Sequence, residues 1–89
     1  MKGIITVIGK DRVGIIYNIT KILTEKNVNV EDISQTIMQS YFTMMMIVNL
    51  SNMNCEFKEL KDSLETLGSE LGISIKIQLE DLFNAMQNI

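Results

Sequence analysis

The richest chemistry in this 89-residue chain lies in one short string, Gly9-Lys10-Asp11-Arg12-Val13-Gly14. Its two glycines leave the main chain bare for the close approach of another group. An apolar helical period begins directly behind it, so the string leads into a helix start. The first N–H groups of a helix lack partners and carry about half a positive charge. Such an end receives an anion without needing a basic side chain. Asp11 offers the opposite sign, so loop and helix start together suit the carboxylate and ammonium ends of an amino acid. The same residues also have a plainer use, with Gly9 and Gly14 shaping a turn and Asp11 capping a helix. Spacing alone favours the plainer use, since one short Gly-x-Asp-x-x-Gly string is weakly specific.

Other reactive types are sparse. The carboxylate pairs Glu31-Asp32 and Glu80-Asp81 are consecutive, so each splays to opposite faces of an extended strand and suits paired acid–base work poorly. Cys55 has no cationic neighbour at fixed spacing to activate it. With no His and a single Cys, the chain has no zinc set, no imidazole base and no internal disulfide. Met44-Met45-Met46 reads as adaptable packing. Asn27 and Asn29 read first as turn formers, and Ser34, Gln35 and Thr36 as polar positions on an edge strand. No nucleophile, base and oxyanion stabiliser assemble from these residues, which points to a non-catalytic protein without metal or cofactor. A net charge of −3 argues against a nucleic-acid partner. Apolar content of 46% against 21% charged residues is that of a folded domain. No apolar run reaches the ~18 residues of a membrane span and no signal peptide is present, so a cytoplasmic, non-membrane protein is expected.

The elements around the string follow from periodicity. Residues 4–8 form a β-branched apolar strand that Gly9 should end. Val13, Ile16, Ile19 and Leu23 fall at helical spacing, with Asp11 the better N-cap and Asn27 a left-handed end. Val28–Met38 reads as a second strand. Its apolar parity changes between Val30 and Ile33, which predicts a bulge near Glu31-Asp32. Gln39-Ser40 makes a hairpin turn into a third strand over 41–50. Asn54 is placed to cap a second helix carrying Phe57, Leu60, Leu64, Leu67 and Leu71, which Gly72 terminates. Ile73, Ile75, Ile77 and Leu79 alternate with polar residues in a fourth strand, and Leu82, Phe83 and Met86 suggest a short C-terminal helix.

The order β-α-β-β-α-β predicts an α+β, ferredoxin-like sandwich: a four-stranded antiparallel sheet, first and third strands central, both helices on one face. Without proline or a linker, residues 1–89 read as one domain. The face away from the helices should be largely Ile, Val and Met, and such a patch calls for the tail or a second copy to cover it. Fold alone decides no function. A copper chaperone would need Cys-x-x-Cys in the first loop, an acylphosphatase a glycine-rich cradle around its Arg, and an RNA-recognition domain stacked aromatics on the central strands. None of these is present.

GKDRVGII, NVNVEDISQTIM and YFTMMMIVNL together resemble the ACT domain. In particular they are similar to the stand-alone UPF0237 proteins, related to the ACT repeats of the glycine cleavage system transcriptional repressor. The resemblance covers the chain from Ile4 to Ile89. It implies a small regulatory module that binds a small-molecule effector, an amino acid above all. Such modules work as homodimers with ligand at the interface, near the first loop and second strand. It points to Gly9, Asp11, Gly14 and Ile15, to Asn27 and Asn29, and to Ser34 and Gln35 as ligand-binding positions. With no fused catalytic or DNA-binding domain, a separate metabolic enzyme or regulator would receive the signal. The alternative is a protein-interaction subunit that regulates such a partner without a small ligand.

Overall fold

The computed structural model describes residues 1–81. Six elements follow in order: β1 (Lys2–Lys10), α1 (Ile15–Glu25), β2 (Asn29–Met38), β3 (Tyr41–Asn49), α2 (Phe57–Leu71) and β4 (Ser74–Leu79). The strands form one antiparallel, four-stranded sheet in the order β2-β3-β1-β4, so β1 and β3 are central as expected. The expected helix around Leu82, Phe83 and Met86 lies outside the described residues.

Side-chain alternation decides the layers. Ile5 and Val7 of β1 share a face with Met44 and Met46 of β3 and with Ile75 and Ile77 of β4, and all six are buried. Against them pack Ile15, Ile19 and Leu23 of α1 and Leu60 and Leu64 of α2. Full burial of each such side chain is worth about 1.5–3 kcal/mol, so this one layer holds helices to sheet. The opposite face carries Ile4, Thr6 and Ile8 from β1 and Tyr41, Thr43, Met45 and Ile47 from β3. It is less oily than its parity-blind reading predicted, because threonines stand between the apolar groups. Ile4 is buried and Ile47 half-buried, while Ile8 and Met45 are exposed.

Local devices fix the connections. After α1, Asn27 adopts φ 59°. Its N–H donates to Thr24 O and that of Val28 to Leu23 O, the paired bonds of a Schellman end. Gly72, at φ 71°, closes α2 in the same way, with Ile73 N–H donating to Gly68 O at 2.9 Å. In β2 the register slips between Val30 and Asp32, which puts the bulge at Glu31 where the parity change predicted it. Gln39 takes φ 57° in the hairpin that pairs Met38 with Tyr41.

Several local expectations change; Val13, expected on the apolar stripe of α1, precedes the helix and is fully exposed. Gly9 does not end β1; it lies within the strand, opposite Phe42, and a Cβ there would sit 2.4 Å from Ile73 Cγ2. A distant residue therefore demands the bare Cα. Asp11 does not cap α1. Its N–H is drawn to Ser40 O of the hairpin at 2.8 Å, and Gly14, at φ 94°, occupies the N-cap instead. Asn54 does not cap α2, whose N-cap is Glu56. Its side-chain amide donates to Glu25 O and its N–H to Lys26 O, so it closes the end of the other helix.

Candidate functional site

The string between β1 and α1 is held at three points. Gly9 lies against Ile73. Asp11 is pinned through its N–H to the β2–β3 hairpin. Arg12 reaches across to α2, its Nη1 donating to Leu71 O at 2.9 Å. That guanidinium thus serves a helix C-terminus, where a cation also complements the dipole. The Asp11 side chain is exposed, and among the described residues it has no ion-pair or hydrogen-bond partner.

Gly14 turns the chain left-handed into α1, and among the described residues no side chain caps the helix. The Asn18 amide folds back to donate to Gly14 O at 2.7 Å, beside the Asn18 N–H bond to the same oxygen. The N–H groups of Ile15, Ile16 and Tyr17 precede that first helical bond and have no partner within the helix. Ile15 itself is core, 2% exposed, so its side chain is closed to a ligand. Exposed carboxylate, bare helix start and left-handed glycine thus meet at one corner.

Asn27 and Asn29 stand elsewhere. They lie past the far end of α1, which its 11 residues put roughly 16 Å from the loop at 1.5 Å per residue. Here a polar cavity of about 420 Å³ opens, lined by Thr24, Asn27, Val28, Asn29, Asn49 and Asn52. The Asn27 amide donates to Asn52 O at 2.8 Å and so ties the helix end to the loop after β3. Asn49 donates to Glu31 Oε2 at 3.2 Å, and Lys2 Nζ lies 2.8 Å from Glu31 Oε1. The hydrogen bond from Lys2, then that from Asn49, holds the Glu31 carboxyl below its ordinary pKa, and the same bond raises that of Lys2. Thr24, Asn49 and Asn52 were not singled out from the sequence. The clustering of asparagines at 27–29 and 49–54 was visible, but only the fold joins the two stretches.

Ser34 and Gln35 divide between faces. Ser34, opposite Met45, lies on the open face; Gln35, opposite Met44, lies on the helix side. Both are exposed, as is every residue from Glu31 to Ser40. Among the described residues no cluster of three or more His, Cys, Asp or Glu could hold a metal, and no helix is long and apolar enough to cross a membrane.

Known proteins match this chain along its length. A UPF0237 protein of Clostridium acetobutylicum is 54% identical over all 89 residues, with both chains fully covered. The structure of an ACT domain protein from Streptococcus pneumoniae superimposes with a TM-score of 0.80 at 41% identity, covering 93% of each chain. A protein assigned as a glycine cleavage system transcriptional repressor shares the fold, with a TM-score of 0.73 at 23% identity over 86% of this chain and 44% of its own. The profile of the ACT domain family matches residues 3–78. The chain therefore belongs to the ACT domain family, whose members are regulatory, ligand-binding modules, and within it to the UPF0237 proteins.

Proposed function

We propose that residues 1–89 act as one non-catalytic regulatory domain, a homodimer that binds an amino acid between its two copies. One observation carries this reading: the ligand-binding candidates stand at opposite ends of α1. Gly9, Asp11, Gly14 and the Ile15 N–H are at one end, and Asn27 and Asn29 are at the other. Within one chain the length of α1 separates them. An antiparallel pairing of β2 with its own copy reverses the direction of the second chain. The Asn27–Asn29 end of one copy then approaches the Asp11–Ser40 corner of the other.

The β2 edge supports such a pairing. From Ile33 to Met38 it has no charged residue, and Ile33 and Ile37 are 43% and 55% exposed on the helix side of the sheet. Ile16 and Tyr17 of α1 are exposed as well, at 39% and 66%. A two-fold axis at Gln35 sets Ile33 of each copy opposite Ile37 of the other and completes both edges. In this arrangement the ligand carboxylate meets the start of α1, its ammonium meets Asp11, and the partner's asparagines reach its side chain.

Ligand binding across the junction stabilises the dimer by RT ln(1 + [L]/Kd), about 2.7 kcal/mol at a hundredfold excess over Kd. A thermal-shift series with the twenty amino acids at millimolar concentration tests this. At least one should raise the midpoint, and the rise should vanish in Asp11→Ala. No shift with any of them overturns the amino-acid reading, and a monomer at micromolar concentration by sedimentation overturns the shared site.

A further inference from the structure

The second edge of the sheet leads to a different surface. Among the described residues β4 pairs only with β1, so its outer row of N–H and C=O groups has no strand beside it. Along that edge, between β4 and the outer flank of α2, runs a groove of about 580 Å³. Phe57, Ile73 and Leu79 give it a half-buried apolar lining, and Lys61, Glu65 and Lys76 stand around it. Neither lysine has a carboxylate within ion-pair distance among the described residues.

We propose that this groove takes an extended segment of a separate protein, added beside β4 as a fifth strand, with apolar residues at alternate positions and carboxylates between them. The unpaired backbone selects for an extended chain, because only another strand can satisfy a row of alternating donors and acceptors. The side chains around it then set the pattern. Alternate residues of an added strand point to the helix side, where Phe57, Ile73 and Leu79 offer apolar contact. The others point to the side of Lys76, where a carboxylate meets an unpaired ammonium. A second copy paired about Lys76 fits less well. Pairing Ile75 with Ile77 of a copy sets Lys76 directly opposite its own equivalent, a like-charge pair at the centre of a six-residue strand.

The groove is also fixed before anything enters it. A Cβ on Gly68 would lie 2.8 Å from Ile73 O, so α2 and the start of β4 approach as closely as a bare glycine allows. Arg12 holds the last turn of α2, and Gly9 receives Ile73. An edge held in place loses little entropy when a segment docks.

A displayed library of random twelve-residue segments, selected against the full chain, tests the proposal. The Lys61→Glu/Lys76→Glu double variant serves as comparison, its fold checked by circular dichroism. Enriched segments should alternate apolar residues with Asp or Glu and bind the double variant at least tenfold more weakly. They should also shift the amide resonances of Ser74–Leu79 ahead of those of β2. The proposal is overturned by a library that yields no enrichment, by segments that bind both proteins equally, or by resonance shifts confined to β2. Binding that appears only when residues 82–89 are removed also overturns it, since the chain's own tail would then be the occupant.

Discussion

Among the described residues β2 offers ten residues of open edge without a lysine or arginine, flanked on the helix side by exposed Ile33 and Ile37. β4 offers six, with Lys76 in the middle and the flank of α2 alongside. Both expose the same backbone groups, and such rows invite any passing strand. What separates them is which strand they tolerate. An edge uncharged from Ile33 to Met38 and two-fold-compatible accepts its own copy, whereas a short cationic edge beside an apolar groove accepts something of opposite sign. The difference also maps onto how each edge is held. β2 is exposed from Glu31 to its end, while β4 is clamped by Gly68, Gly9 and, through α2, Arg12.

The largest effect should come from breaking the β2 side. Ile33→Lys with Ile37→Lys puts two ammonium groups per copy into the proposed junction. The dimer should weaken by roughly a hundredfold or more, each tenfold being about 1.4 kcal/mol. Sedimentation at graded concentrations reads this. Because both side chains are already exposed, the stability of the single chain should change by no more than about 0.5 kcal/mol. A dimer that survives the double change is not joined through β2.

The next effect sharpens the β4 side. Gly9→Ala places a methyl group 2.4 Å from Ile73 Cγ2 and 3.2 Å from Ile73 Cα, so the backbone at the start of β4 must give way. Overpacking of this kind costs about 1–3 kcal/mol, measured as a lower urea midpoint. Adding Ile73→Ala should recover part of the loss, since the two residues share one contact. If Gly9→Ala is neutral for stability yet abolishes an amino-acid shift, the glycine serves the ligand and the contact is incidental.

These residues mark where sequence reading ran out. The bulge at Glu31, the left-handed Asn27 and the stop at Gly72 were legible because each is a local event, written in the parity or type of adjacent residues. Gly9, Arg12 and Asn54 were misjudged or left without a role for one shared reason. Each answers to a group far along the chain: Ile73 for Gly9, Leu71 O for Arg12, and Glu25 O for Asn54. A glycine that ends a strand and one that admits a neighbour look alike until the neighbour is placed. For the site, residue types suggested the loop, while the distance between that loop and Asn29 emerged only from the fold.

A smaller loss should follow Arg12→Ala, which removes the hydrogen bond to Leu71 O and the cation at the C-terminus of α2. An exposed bond of this type contributes about 0.5–1.5 kcal/mol, here at the lower end. Hydrogen exchange localises it. The Gly72 and Ile73 amides, which close the Schellman end, should exchange faster, while those of β2 stay unchanged. Equal loosening at both edges would mean that Arg12 supports the fold at large and does not specifically clamp β4.

The smallest effect belongs to the bulge of β2, where Glu31 faces Lys2 at 2.8 Å and accepts from Asn49. Those bonds hold the Glu31 carboxyl below its ordinary pKa, so its folded value is depressed. A group of that kind stabilises the folded chain above its unfolded pKa, about 4.3, and the contribution fades as pH falls through the folded value. Lys2 acts in the opposite sense: its pKa is raised, so its share is present at neutral pH and disappears only in strong alkali. Glu31→Gln should therefore lower the thermal midpoint slightly at pH 7 and leave it unchanged at a pH well below the carboxylate range. The pair is exposed, so added salt should shrink the neutral-pH difference. A midpoint difference that persists undiminished in acid would place the role of Glu31 in the geometry of the bulge, with its charge irrelevant to how firmly that end of β2 is held.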